Sequence, residues 1–233
     1  VQNTFLGALA GDAITDADLN VALGYLALSS NTVGSKSVAV GSAALKAQNP
    51  STATDMYNVA VGHQAGLSVT TGTASTFIGA LAGDAITSGI NNTAVGAFAL
   101  SADTLGKFSV AVGNGALERQ NFTTSTNAYN TAVGYDAGSQ VTTGQGNTFL
   151  GGLAGNSSTG SGVENNTFIG FQAGRYVTSG ENNTVLGRYD GNQNGLDLRT
   201  ASNNIVLSDG DGTPFYWGRS SGTHVHSTVT AAA

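Results

Sequence analysis

Asn3-Thr4-Phe5-Leu6-Gly7, Asn20-Val21-Ala22-Leu23-Gly24, Ser37-Val38-Ala39-Val40-Gly41 and Asn58-Val59-Ala60-Val61-Gly62 are four copies of one pentapeptide, and their spacing decides the fold. The closing glycines continue as Gly79, Gly96, Gly113, Gly134, Gly151, Gly170 and Gly187. A twelfth copy, Asn204-Ile205-Val206-Leu207-Ser208, has serine in the glycine place. The steps between copies run 17, 17, 21, 17, 17, 17, 21, 17, 19, 17 and 21 residues. A near-fixed period of this size marks a solenoid, in which each unit buries apolar surface only against its neighbours.

The pattern of steps itself repeats after 72 residues: Thr4 to Thr15 returns as Thr76 to Thr87, and Asn58 to Gly66 as Asn130 to Gly138. Duplication of a block of four coils is the simplest origin. The long steps place extra residues within Gln48–Tyr57, Gln120–Tyr129 and Asn192–Ser202, rich in Asn, Ser and Thr, and these are expected to be surface loops.

Stacked on their glycines, the copies form columns. The position before Gly is always Leu, Val or Ile, and the position three before it always Thr, Val or Ile. With a period of two these columns share one face of a short strand. The column between them, from Phe5 and Ala22 to Val206, is apolar too, so both strand faces are expected to be buried. One lines the coil interior; the other needs a partner outside the coil. Four before Gly stand nine Asn and three Ser (Ser37, Ser75 and Ser109), a column suited to side-chain hydrogen bonds along the stack. Ten of eleven residues three past Gly are Ala, which points to a gap that admits only a methyl group.

The fold class expected is therefore all-β, a parallel β-solenoid of about twelve 17–21-residue coils over residues 1–212, with residues 213–233 as a cap or linker. Thirty-four glycines, two prolines and 9% charged residues suit a turn-dense β protein. Coils this small bury little, and the extra apolar face argues for self-association. Without cysteine there is no disulfide framework and no thiolate metal site. A net charge of −6 with eight basic residues argues against nucleic acid as a partner. No stretch has the length of a membrane helix, and because Val1 begins inside a repeat, without a signal peptide, the chain is expected to be a segment or a mature product. No cofactor is expected.

Ser37-Val38-Ala39-Val40-Gly41 and Ser109-Val110-Ala111-Val112-Gly113, each with Ala three residues later, resemble the head repeats of trimeric autotransporter adhesins. That resemblance implies a left-handed parallel β-roll associating as a homotrimer. Asn130-Thr131-Ala132-Val133-Gly134-Tyr135 and Asn58 to His63 also look like repeats of bacteriophage tail-fibre and virion-appendage proteins, and Asn203 to Gly212 resembles fibre regions of marine phages. The coils here are longer than the usual adhesin-head repeat.

The residue just after Gly varies, and Tyr25, His63, Tyr135, Phe171 and Arg188 in that column read either as a receptor-contact ridge or as an unconstrained exposed column. Tyr216, Trp217 and Arg219 lie in a segment that breaks the repeat and reads as a cap over the last coil or as a receptor contact. Asp209-Gly210-Asp211-Gly212 reads as a turn, because the longer ligand series of a calcium loop is missing. His224 and His226 share one side of a strand without a third metal ligand. The acidic residues are scattered: Asp12 and Asp84 are repeat equivalents, while Asp16, Asp18, Asp55, Asp103, Asp136 and Asp197 share no column and read as solvated surface, so no enzyme is expected. The expected role is that of a structural fibre segment, a stiff trimeric spacer of a phage tail fibre or virion appendage, with a share in adhesion. Its partners are itself, other fibre or virion proteins and a host glycan or receptor, and its location is the virion or an extracellular surface. The alternatives are a bacterial trimeric adhesin head, an ice-binding solenoid suggested by the Thr column (though that column reads as buried), and a glycan-degrading enzyme.

Overall fold

A computed structural model describes residues 2–160, 163–219 and 224–226 of the chain. No helix occurs among them. Twelve copies of the pentapeptide form strands, from Thr4–Leu6 and Val21–Leu23 through Val110–Val112 to Thr184–Leu186 and Asn204–Ser208. Each pairs in parallel with the next, residue for residue, so that Ala39 lies against Ala60 and Phe149 against Phe168. The result is one continuous sheet of stacked rungs. At ~4.8 Å per rung, eleven steps rise to ~53 Å.

Short rungs without helices hold together because each coil hydrogen-bonds to the next at several points. The Asn column is the clearest case. From Asn20 on its side chains are almost wholly buried, and up to Asn183 each Oδ1 accepts the N–H of the same column one coil on: Asn20 from Ser37 at 2.9 Å, Asn130 from Asn147 at 2.9 Å, Asn166 from Asn183 at 2.9 Å. The Nδ2 donates to a carbonyl three residues ahead of that next column residue, as Asn58 does to Gly72 at 2.7 Å. Every such Asn therefore closes two bonds that a buried backbone would otherwise lack.

The interior is lined by the middle column of the rungs, from Ala22 to Val206, and by the Ala column, with Ala27 to Ala173 fully buried. Outside the rungs, the two flanking columns face away from the core. The expected burial of both strand faces thus fails for the isolated chain, where one face is covered and the other is open.

Size complementarity tunes the interior. Four residues past the marker glycine stand Gly11, Gly83, Gly155 and Gly174 in coils whose middle residue is Phe5, Phe77, Phe149 or Phe168. Coils with Ala22, Ala39, Ala94 or Ala111 carry Leu28, Leu45, Leu100 and Leu117 there instead. The ring of Phe77 lies against both Gly66 and Gly83, and that of Phe149 against Gly138 and Gly155.

The long steps are not plain surface loops. Gln48, Met56, Gln120, Phe122 and Ala128 from them are buried. They also add small parallel ladders, Gly34–Ser35 with Thr54–Asp55 and Gly106–Lys107 with Thr126–Asn127. The third contains an antiparallel pair, Asn192–Gln193 with Leu196–Asp197. Parallel stacking ends at Asn204–Ser208. Asp209 Oδ1 accepts the N–H groups of Asp211 and Thr213, which makes the acidic stretch the expected turn. The chain then returns antiparallel as Pro214–Arg219 and His224–His226. The histidine side chains and the expected linker 227–233 lie outside the described residues.

Candidate functional site: the outward face and its margins

The outward face consists of two columns, Thr4 to Ile205 and Leu6 to Leu207, two residues from each rung and none of them charged. Alternation along a strand places them together, opposite the buried middle column. Leu6 is 70% exposed and Leu150 45%, and the rest are exposed or half-exposed. The Thr column reads as buried from its apolar neighbours, yet it lies on this open face, where Thr76, Thr93, Thr131, Thr148, Thr167 and Thr184 are half-exposed. A strip of ~53 Å by ~10 Å is on the order of 500 Å² of flat, uncharged surface, the size at which apolar patches mark interaction sites.

Two margins flank the strip. On one side is the column after the marker glycine. Tyr25, His63, Tyr135 and Phe171 are exposed there, as the varied column suggests, and Arg188 is half-exposed. The structure brings together only Phe171 and Arg188, whose guanidinium lies 5.6 Å from the ring centre. They line an open depression of about 450 Å³ with Ser208 and Asp209. Tyr25 and His63 are two coils apart, and His63 and Tyr135 four, so at ~4.8 Å per coil they do not form one site. Tyr135 stands next to Asp136, whose negative charge and hydrogen bond push its phenol above the usual range.

The other margin, five residues before the glycine, was not singled out by the motif, yet it too carries large side chains. Each residue there has a positive φ, as at Lys36 (62°), Tyr57 (53°), Phe108 (61°) and Tyr129 (51°). Lys36 lies over the Tyr57 ring at 5.3 Å and pairs with Asp55 at 2.6 Å. Phe108 stacks on Tyr129 with ring centres 5.3 Å apart. The signal for this margin is that Asn91, Gly146, Asn165, Asn182 and Asn203, residues that enter αL readily, stand in one column with Leu19, Lys36, Tyr57, Phe108 and Tyr129, which becomes visible once the copies are aligned.

At the end of the stack, Trp217 and Arg219 are part of the closing strand. The Trp217 indole packs on the core, and its Nε1 donates to Asn204 Oδ1 at 3.3 Å, as does Arg219 Nε at 3.1 Å. Asn204 has no parallel coil beyond it, and these two donors take the place of the missing backbone N–H. Tyr216 faces the other side, where with Asn182, Asn203 and Arg219 it lines a second depression of about 360 Å³.

One buried polar network was missed. Asp103 reads as solvated surface but is fully buried. Its Oδ1 accepts the N–H groups of Gly106 and Phe122, and its Oδ2 accepts from Gln120 Nε2 at 2.7 Å. Gln120 also bonds Ser109 and Asn130, and one block earlier Gln48 bonds Ser37 and Asn58. In these two coils the short serine of the ladder is thus supplemented by a glutamine from the long step. The sequence signal was polarity at one shared offset, seven past the glycine, in Asn31, Gln48, Asp103 and Gln120. Burial holds the Asp103 carboxyl above the usual range, against the pull of those hydrogen bonds. The folded state therefore holds its proton more tightly than the unfolded chain does, and stability from this group falls as pH rises through that raised value. Asp103→Asn is expected to gain on the parent in urea midpoint between pH 4 and pH 7; a constant difference across that range would contradict the assignment.

Among the described residues no three of His, Asp and Glu gather as a metal site would require. Nor does any helix among those residues have the length and apolarity to cross a membrane. No protein family, curated protein or solved structure matches the chain.

Proposed function

We propose that this chain is a structural fibre segment, a stiff homotrimeric spacer of a phage tail fibre or virion appendage. It projects a receptor-binding tip, joins other fibre proteins at its ends, and touches host-surface glycans with its aromatic margins. The observation that carries the reading is the outward face: twelve rungs contribute 24 side chains, all Thr, Val, Ile or Leu. Water is a poor neighbour for such a strip, and another copy with the same pitch fits it rung for rung. Continuous ladders along the axis supply stiffness, because bending must stretch many hydrogen bonds at once. A bacterial trimeric adhesin head uses the same architecture and is the alternative setting.

Sedimentation of the isolated chain tests the association. The expected species has three times the mass of one chain, and Val112→Asp, which puts a charge on the middle of the strip, is expected to dissociate it. A well-folded monomer of the unaltered chain would defeat the reading. The outward placement of the Thr column favours one other use, binding to ice, although the Leu6-to-Leu207 column contains no Thr. Thermal hysteresis in the purified protein would support it.

A further inference from the structure

Two Asn–Gly pairs occur in the chain, Asn114–Gly115 and Asn194–Gly195. Such a pair has a chemistry of its own. With no side chain on the glycine, its backbone nitrogen can approach the Asn side chain and attack Cγ. That nitrogen gives up its proton, the N–Cγ bond forms and ammonia leaves, which closes a five-membered succinimide ring. Water then opens either carbonyl of the ring and leaves aspartate or isoaspartate. One water enters, one ammonia departs, and nothing is oxidised or reduced. In a folded chain the reaction needs a glycine N–H that is not bonded elsewhere and a peptide that can turn.

The two pairs differ on both counts. Asn114–Gly115 follows the marker glycine Gly113 and lies inside the coil-to-coil ladder. Gly115 is buried, its N–H donates to Ala97 O at 3.0 Å, and the Asn114 carbonyl accepts the N–H of Asp136 at 2.9 Å. The peptide is thus held on one side by the coil before it and on the other by the coil after. The Asp136 carboxylate also fills the space that a side chain at Gly115 would take, and a negative charge there opposes loss of the amide proton.

Asn194–Gly195 is the tip of the antiparallel pair Asn192–Gln193 with Leu196–Asp197. Both residues are exposed, and a Cβ added to Gly195 would meet nothing within 4 Å. Among the described residues no hydrogen bond reaches the Gly195 N–H or the Asn194 carbonyl. Their φ values, 51° and 80°, define a tight turn that has to rotate before the ring closes. Two residue pairs resist that rotation, and the bond at the base of the hairpin, Leu198 N–H to Gly191 O at 2.7 Å, can stay in place.

We infer that Asn194 is a site of spontaneous succinimide formation and deamidation in the folded protein, and that the ladder protects Asn114. The same dipeptide ages at one place and not at the other. The product carries a further negative charge between Asp190 and Asp197, and its isoaspartate form adds a backbone atom to a two-residue turn. The inference needs neither the fibre reading nor the association of copies.

Incubation of the folded chain in mildly alkaline buffer, then proteolytic digestion and mass spectrometry, reads both sites in one sample. Exchange of an amide for an acid raises the peptide mass, and the two product isomers separate by chromatography. Asn194 is expected to convert at least ~10-fold faster than Asn114, since two ladder bonds must break before Asn114 reacts. In concentrated guanidinium the two rates are expected to come within ~3-fold, because both pairs then lie in an open chain. Asn194→Gln, whose ring would be six-membered, is expected to end conversion at that position and leave Asn114 as it was. Equal rates in the folded chain overturn the inference, and so does an Asn194 that converts only in denaturant. The same preference persisting in denaturant also overturns it, since the local sequence and not the fold would then choose the site.

Discussion

Gly79→Ala is expected to weaken the fold by roughly 2–6 kcal/mol, a large share of what a typical domain has, and to abolish cooperative unfolding if the total is at the low end. Gly79 takes a φ of +128°, a backbone region that side chains rarely adopt. An added Cβ would also lie 2.6 Å from the carbonyl carbon of Gly96 and 2.7 Å from its oxygen, backbone atoms of the next coil. Neither cost can be relieved locally, because the same glycine column continues above and below, from Gly7 to Gly187, and a shift in one coil is passed to its neighbour. Gly210→Ala is the comparison: that position has open space around it and is expected to change stability by no more than ~0.5 kcal/mol. Chemical denaturation of the two variants beside the parent checks both. Equal small losses would mean that the coils do not stack on their marker glycines.

Phe168→Ala is expected to cost about 3–5 kcal/mol, the range for removing a buried ring whose place cannot fully collapse. The ring is fully buried, lies 5.6 Å from that of Phe149, and occupies the place that a side chain at Gly174 would take. Gly174→Leu alone is expected to be at least as damaging, since the new side chain and the ring claim one space. The double variant reproduces the Ala–Leu pairing of Ala22 with Leu28 and Ala94 with Leu100. Leu28 and Leu100 hold φ of 52° and 54°, close to the 59° of Gly174, so the backbone need not change. The double variant is therefore expected to recover a large part of the loss, with a coupling of 1–3 kcal/mol, about what residues in contact show. Additive losses in a double-mutant cycle would show that the exchange of Phe–Gly for Ala–Leu is not a packing rule of this interior.

The buried polar groups set a different limit on the same core. Gln120 Nε2 reaches Asp103, whereas Gln48 Nε2, its equivalent one block earlier, has no partner, because Asn31 stands where Asp103 does. An unpaired buried amide is costly, about 1–3 kcal/mol, and marks a local weak point in the first block. The burial of the Asp103 carboxyl, which raises the cost of its charged form, offsets part of that advantage in the second block, so the two blocks solve one packing problem with different defects.

Most of this architecture was legible in the residues because a solenoid places every copy in the same surroundings. A column of Gly then reports a backbone need and a column of Asn a hydrogen bond repeated from coil to coil, and both hold in the structure, where the Ala column from Ala27 to Ala173 is buried as well. Which strand face points inward was not legible. All three rung columns are apolar, so polarity could not choose between them, and the choice lay in a size match between residues on two different walls of the coil, Phe77 with Gly83 and Ala94 with Leu100. The long steps misled for a related reason: their Asn, Ser and Thr content describes the exposed residues, while Met56, Phe122, Gln48 and Gln120 fold back under the coil. Asp103 likewise is a residue type that suggests solvent until the local N–H of Gly106 and two donors from the next coil, Gln120 and Phe122, are seen around it. The chain order alone determined the period, the rungs and their ladders, since those follow from local repetition. Only the folded coil decided inside from outside, because that depends on which side chains meet across the interior, and no single repeat contains both.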